Sequence, residues 1–394
     1  MQRKVLVAGV GLVPFTKPGA SDTYDVMGAG AAAAALADAG VAYIDVEQAF
    51  VGYVYGDSTA GQKALYRVGM TGIPIFNVNN NCSTGSTALY LARQAVESGV
   101  AECALAVGFE QMAPGALTTQ FNDRPTPFDE FNRATDALVG APDVPLAIRY
   151  FGGAGLAHMN RYGTKLETFA KIRAKASRHG ARNPMALLRK ELSVEEVLAS
   201  PVLMQGVMTR LMACPPTCGA AAAVLVSESF ARRHHLDRTV SIAAQAMTTD
   251  TPRTFTAHDM MTLVGYEMTR DAARQVYETA GVGPSDIDVV ELHDCFAQNE
   301  LLAYESLGLA AEGEGEKLVE DGDNTYGGKF VTNPSGGLLS KGHPLGATGL
   351  AQCFELTQQL RGTADERQVE GARIGLQHNL GLGGACVVTL YRAE

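Results

Sequence analysis

No apolar run in the chain reaches the ~18 residues that a membrane-crossing helix needs, so no transmembrane segment is expected. Positive charge is also scarce. The chain carries 32 Lys and Arg against 42 Asp and Glu, a net charge of −10. That balance excludes general binding to nucleic acid or to an anionic membrane and leaves room for one local basic patch. There is no disulfide framework. The cysteines, at 82, 103, 214, 218, 295, 353 and 386, are odd in number and scattered, which suits a reducing cytosol. Cys214 and Cys218 form a lone CxxxC with no second pair and no His nearby, so a metal site is not expected and both read as packed thiols. Gly9-Val10-Gly11 makes a poor nucleotide loop: no third Gly follows, and Pro14 stands where a helix would start. The opening MQRKVLVAGVGLVPF is basic and then apolar. It lacks a small-residue cleavage site and reads as a first β-strand.

What is present is a long, apolar, glycine-rich chain. Its 394 residues are 46% hydrophobic and include 43 Gly. At ~150 residues per domain this length predicts two to three domains and a large core. Val/Ile/Leu runs predict strands over 4–10, 48–54, 102–108, 221–227, 239–245, 287–292, 373–377 and 385–391. Between them, Ala-rich and amphipathic stretches predict helices over 24–39, 83–98, 165–179, 266–280, 297–307 and 346–361. The alternation argues for an α/β fold.

The order repeats. AAAAALADAGVAYIDVE (31–47) matches AARQVYETAGVGPSDIDVVE (272–291), and CSTGSTALYLARQAVESG (82–99) matches GHPLGATGLAQCFELTQQLRG (342–362). Two such pairs in the same order predict a duplication. One half would take 1–118 with 214–262, and the other 263–394, with 119–213 inserted between them. The insertion contains a basic stretch: residues 161–190 hold nine Lys and Arg, Arg173 and Lys175 among them, against Glu167 alone. It reads equally as a solvated helix face or as a dock for a phosphate-bearing ligand.

Four segments could carry chemistry. Cys82 falls at the predicted N-terminus of a helix, where free N–H groups lower a thiol pKa; it reads as a nucleophile or as a buried structural Cys. His343 holds the matching place in the second half, so a pseudo-twofold would bring the two together as nucleophile and base; alternatively it caps or braces its own turn. His293 and Cys295 follow the strand 287–292, where open α/β sheets place ligands, and Cys295 could serve as a general acid/base. The glycines of HNLGLGGACVV, Gly381, Gly383 and Gly384, could aim N–H donors at a ligand or simply form a tight turn.

Taken together, VNNNCSTGS, HDCF, NTYGGK, NPSGGLLSKGHPLGATG and HNLGLGG resemble the thiolase family, most closely its sterol-carrier-type 3-ketoacyl-CoA thiolases, over nearly the whole chain. The resemblance implies two duplicated halves forming a layered α-β-α-β-α core with an inserted loop domain. It implies thiolytic cleavage of a 3-ketoacyl-CoA through an acyl-cysteine, with coenzyme A as substrate and no permanently bound cofactor. Cys82 would be the nucleophile, His343 its base, Cys295 the acid/base, and His293 the residue holding a water in one oxyanion hole. The backbone N–H groups of Cys82 and Gly383 would form the second hole, and Arg173 and Lys175 would meet the CoA phosphate. The usual C-terminal CxG cysteine is missing, as in the sterol-carrier type. The ending TLYRAE carries neither a lipid-transfer domain nor an SKL signal, which leads to the expectation of a cytoplasmic enzyme, a homodimer or homotetramer. Competing readings on the same fold are a retro-aldol lyase, a decarboxylating ketoacyl synthase and a non-catalytic carrier or partner subunit.

Overall fold

A computed structural model describes residues 3–115, 121–141, 143–236 and 239–394. Its strands are β1 (Val5–Thr16), β2 (Gln48–Gly52), β3 (Ile75–Val78), β4 (Cys103–Glu110), β5 (Val202–Met204), β6 (Met208–Thr209), β7 (Cys218–Ser227), β8 (Val240–Thr248), β9 (Val289–Glu291), β10 (Val331–Thr332), β11 (Ile374–Gly381) and β12 (Ala385–Ala393). β5 and β6 form a small hairpin. The other ten run in the order β10-β9-β11-β12-β8-β1-β7-β4-β2-β3.

That order is one five-stranded pattern written twice. β3-β2-β4-β7-β1 and β10-β9-β11-β12-β8 correspond strand for strand. In each, the three outermost strands are parallel and the next two join antiparallel. The halves meet through β1 and β8 at a single residue pair, Leu6 with Ser241. The repeated helices match as well. Tyr24–Ala39 and Tyr266–Ala280 stop at Gly40 and Gly281, while Thr84–Ser98 and Thr348–Arg361 stop at Gly99 and Gly362; all four glycines are left-handed.

Strand periodicity builds the layers. In β4, Ala104 and Ala106 face one way, while Cys103, Leu105, Val107 and Phe109 face the other. The first set packs on the helices Thr84–Ser98 and Thr348–Arg361, which also receive Val289 and Tyr391 of the second half. The second set packs on Tyr24–Ala39. Helices Tyr266–Ala280 and Ala297–Ser306 cover the far face of the second half. The result is the α-β-α-β-α layering, with two glycine-stopped helices at its centre.

Sequence and structure differ at three places. β8 pairs with β12 along eight residues, so residues 240–262 lie with the second half and not the first. The inserted segment is more helical than its polar sequence indicates, with helices Asp129–Val139 and Leu146–Tyr162. The latter contains Gly152, Gly153 and Gly155, poor helix formers that are kept small by Met204, Met260 and Gln298 packed against them. β10, β5 and β6 are too short to show a period.

The two central helices begin almost in contact. A Cβ at Gly85 would lie 2.8 Å from the Gly346 carbonyl oxygen. One at Gly349 would lie 2.1 Å from Ser86 Oγ and 2.3 Å from Ser86 N. Gly349→Ala must therefore push these helix starts apart. It is expected to cost ~1–3 kcal/mol, read as a lowered denaturant midpoint with an unchanged slope.

Candidate active site

Three loops converge where those helices begin. Cys82 comes from the turn after β3. Asn81, just before it, takes a left-handed conformation (φ 51°), which Asn tolerates and most residues do not. Asn81 Nδ2 donates to the Leu382 carbonyl (3.1 Å), tying this turn to the loop after β11. His293 and Cys295 come from the loop after β9. Between them, the buried Asp294 carboxylate accepts from Leu338 N (2.7 Å) and Leu339 N (3.3 Å), holding the short helix Gly337–Ser340 that leads into His343.

Cys82 Sγ and one ring nitrogen from each of His293 and His343 lie within 4.8 Å of one another. Cys82 is 5% exposed, His343 5% and His293 1%. The imidazoles meet edge to face at 5.0 Å. Both residues that the duplication placed at matching helix starts are thus in the same site.

Burial sets their protonation. Desolvation, and then the nearby Glu110, pushes the Cys82 thiol up to about 12 despite N–H groups of Cys82 and Leu382 that favour the thiolate. The helix start was expected to lower this pKa; the loss of water outweighs it. Desolvation pushes His343 down to about 3. It also lowers His293, with His343 and His378 adding to the effect. Cys295 is raised by burial and by charge on Cys214, Cys82 and Asp294.

Hydrogen-bond partners fix which ring nitrogen of His343 is basic. Thr348 Oγ1 donates to the Pro344 carbonyl (3.0 Å), so its oxygen can only accept from His343 Nδ1 at 2.7 Å. The proton sits on Nδ1. Nε2 is buried, has no hydrogen-bond partner among the described residues, and carries the lone pair.

From the sequence, two further residues, Cys214 and Glu110, have no role in the site. Cys214 interacts with both Cys82 and Cys295, and its N–H donates to the Cys295 carbonyl (2.9 Å). Its segment bridges two site loops: Ala213 pairs with Phe296 and Pro216 with His343. Its CxxxC partner Cys218 packs elsewhere, against Met112. Glu110 accepts from Val54 N (3.2 Å), Tyr55 N (3.1 Å) and Gly346 N (2.9 Å), joining the GHP loop to the first half. Desolvation raises its own pKa to about 7. The CxxxC spacing marks Cys214 without showing its place here, and no local pattern marks Glu110, because each is defined by partners far away in sequence.

One assignment changes, and one is joined by a neighbour: the Leu382 amide is a loop N–H that favours the Cys82 thiolate. Gly383 is one residue further on, exposed, with φ 89°. Arg173 and Lys175 are each 2% exposed and face inward. Lys175 Nζ pairs with Glu300 and donates to Thr332 Oγ1 (2.7 Å), and Arg173 donates to Ser340 Oγ (2.8 Å). Neither can meet a solvent-borne phosphate. Neighbouring cations are also taken: Arg161 by Asp259, Lys165 by Glu316 and Lys171 by Glu320. The first part of the basic stretch, Arg161 to Lys175, is thus a seam holding the insertion to the second half, while Arg178, Arg182, Arg189 and Lys190 are exposed.

Comparison with known proteins agrees with this geometry. The family "Thiolase, N-terminal domain" matches residues 5–134, and "Thiolase C-terminal domain-like" matches residues 250–390. Sterol carrier protein 2 of Bos taurus is 53% identical over 395 residues, covering 100% of this chain and 73% of its own. Among solved structures, the Ltp2-ChsH2(DUF35) aldolase superposes with a TM-score of 0.84 at 22% identity, covering 99% of this chain and 98% of its own. Human mitochondrial 3-ketoacyl-CoA thiolase in complex with CoA superposes with a TM-score of 0.75 at 20% identity, covering 100% and 98%. At those identities the two structures speak to the fold alone. A buried Cys–His–His cluster at the junction of two duplicated α/β halves, both family matches and the sterol carrier protein 2 likeness lead to one conclusion: the chain belongs to the thiolase family, in its sterol carrier protein 2-related branch.

Proposed function

We propose that the chain cleaves 3-ketoacyl-CoA thioesters with coenzyme A, yielding acetyl-CoA or propionyl-CoA and a shortened acyl-CoA. The observation that carries this reading is Cys82 beside a His343 nitrogen whose tautomer makes it an acceptor. His343 Nε2 takes the thiol proton as Cys82 Sγ bonds to the 3-keto carbon. The C2–C3 bond then breaks. Its electrons pass to the enolate of the departing thioester, and the acyl group stays on Sγ. Protonated His343 and His293 face the enolate oxygen. Cys295 delivers a proton to C2 and so releases the first product. In the second half-reaction the Cys295 thiolate takes the proton of CoA, and the CoA sulfur attacks the acyl carbonyl. The N–H groups of Cys82 and Leu382 hold the developing oxyanion, and Sγ leaves as the thiolate that His343 reprotonates.

The retro-aldol reading on this fold has no need of an acyl-cysteine. The presence of both Cys82 and Cys295 at one buried site, with Cys82 close enough to raise the Cys295 thiol, supports thiolysis. Seven unpaired thiols fit a reducing compartment. The edge strand β3 exposes Phe76, which stacks on Phe50 at 5.1 Å, with Met70 and Tyr66 exposed beyond it. That surface supports a homodimer, or a tetramer built from it.

Three outcomes test the reading. In a single turnover with a 3-ketoacyl-CoA, Cys82→Ala forms no acyl-enzyme, and Cys295→Ala slows its formation by ~10²–10⁴. CoA-independent cleavage by Cys82→Ala would overturn thiolysis in favour of the lyase. The resting pair is neutral, because a thiol raised to about 12 ionises only toward that pH and an imidazole lowered to about 3 protonates only toward that pH. Far-ultraviolet thiolate absorbance should therefore be the same in native protein and Cys82→Ala throughout the neutral range, and a native excess would mean a preformed ion pair. Sedimentation should give at least twice the 41.5 kDa chain mass. A species at the chain mass would remove the dimer.

A further inference from the structure

The mechanism leaves one buried group unexplained. Asn379, at the end of β11, is fully buried, and its amide nitrogen touches two site residues at once: the Cys82 carbonyl at 3.0 Å and His293 Nδ1 at 3.1 Å. An amide can be read with its oxygen and nitrogen exchanged, so its polarity needs independent anchors. Here there are two. The Cys82 carbonyl can only accept, which puts the Asn379 nitrogen against it.

The second anchor lies further along the same chain of bonds. Gln377 Nε2 donates to the Gly349 carbonyl (2.7 Å), again an acceptor only, and to Ser86 Oγ (2.8 Å). Tyr391 donates to the Gln377 oxygen. Ser86 already accepts from Gln377, so its hydrogen passes on to Asn379 Oδ1 (2.8 Å). Asn379 is thereby oriented from both ends. Its two N–H bonds go to Cys82 O and His293 Nδ1, and His293 Nδ1 must be the acceptor.

We infer that Asn379 is a positioning residue that fixes the His293 tautomer, keeping the ring hydrogen on Nε2 so that His293 presents a donor where His343 presents an acceptor. The two imidazoles, alike in burial and edge to face, are set to opposite tasks by their Nδ1 partners: a hydroxyl oxygen for His343 and an amide N–H for His293. The same arrangement weighs against reading the Cys82–His293–His343 cluster as a zinc site, since the remaining His293 nitrogen holds a hydrogen and not a lone pair. The catalytic consequence rests on the proposed role of His293 at the enolate oxygen; the tautomer itself does not.

Neutron diffraction from the deuterated native enzyme reads the tautomer directly. Deuterium on His293 Nε2 is expected, and deuterium on Nδ1 overturns the inference without any variant having to fold. Asn379→Asp, nearly isosteric, sets an acceptor against Nδ1, so the hydrogen should move there. Acyl-enzyme formation should then fall by ~10²–10³ with little change in KM. The rate should partly recover as pH falls and the ring, facing His343, His378 and Cys82, becomes an imidazolium with hydrogen on both nitrogens. An Asp variant that keeps deuterium on Nε2 alone also overturns the inference. A variant whose hydrogen moves while the rate holds supports the assignment to Asn379 and removes His293 from the mechanism.

Discussion

The contact between two helix starts governs this protein. Helices Thr84–Ser98 and Thr348–Arg361 come from opposite halves, and their starts approach so closely that Gly85 and Gly349 leave no room for a methyl group. That approach puts Cys82, two residues before one helix, beside His343, five residues before the other. The buried Glu110 carboxylate reinforces it, drawing Gly346 and the Val54–Tyr55 backbone to a single acceptor. Any wedge between these backbones would separate Cys82 from His343 before it touched either side chain.

The same closeness excludes water, and the electrostatics follow from that. In a dry site a preformed thiolate–imidazolium pair is costly, and both groups rest neutral. Charge then appears only during reaction, next to donors already in place. Hydrogen bonds, rather than pKa differences, assign the work. Two similarly buried histidines differ in which nitrogen carries the hydrogen, decided by Thr348 in one case and Asn379 in the other. The duplicated architecture is symmetric; the side chains that orient its lone pairs are not.

The insertion is attached by the opposite kind of interaction. Lys165, Lys171 and Lys175 reach acids of the second half, two at the surface and one buried with Glu300 among Tyr304 and Thr332. A lone buried lysine without its glutamate would be strongly destabilising, so this pair binds the insertion to one register against the second half. Arg173, reaching Ser340, touches the short helix that delivers His343. The insertion thus buttresses the segment that carries His343.

Much of this could be read from residue order. Strand and helix periods, the αL glycines that stop the paired helices, and the recurrence of two segments in the same order are local properties, written by neighbours a few residues apart. They were enough to place Cys82 and His343 at equivalent points of two α/β halves. Folding alone decided the rest. Asn379 meets its partners 297 and 86 residues away. Lys175 meets Glu300 across 125 residues, which turned an apparent anion dock into an internal seam. Leu382, one residue before the more permissive Gly383, brings an amide that favours the thiolate. A thiol at a helix start, expected to be acidic, became less so. The physical reason is common to all four: lone-pair direction, ion pairing and pKa depend on which groups share a volume from which water is excluded, and that volume forms only when the two halves close on each other.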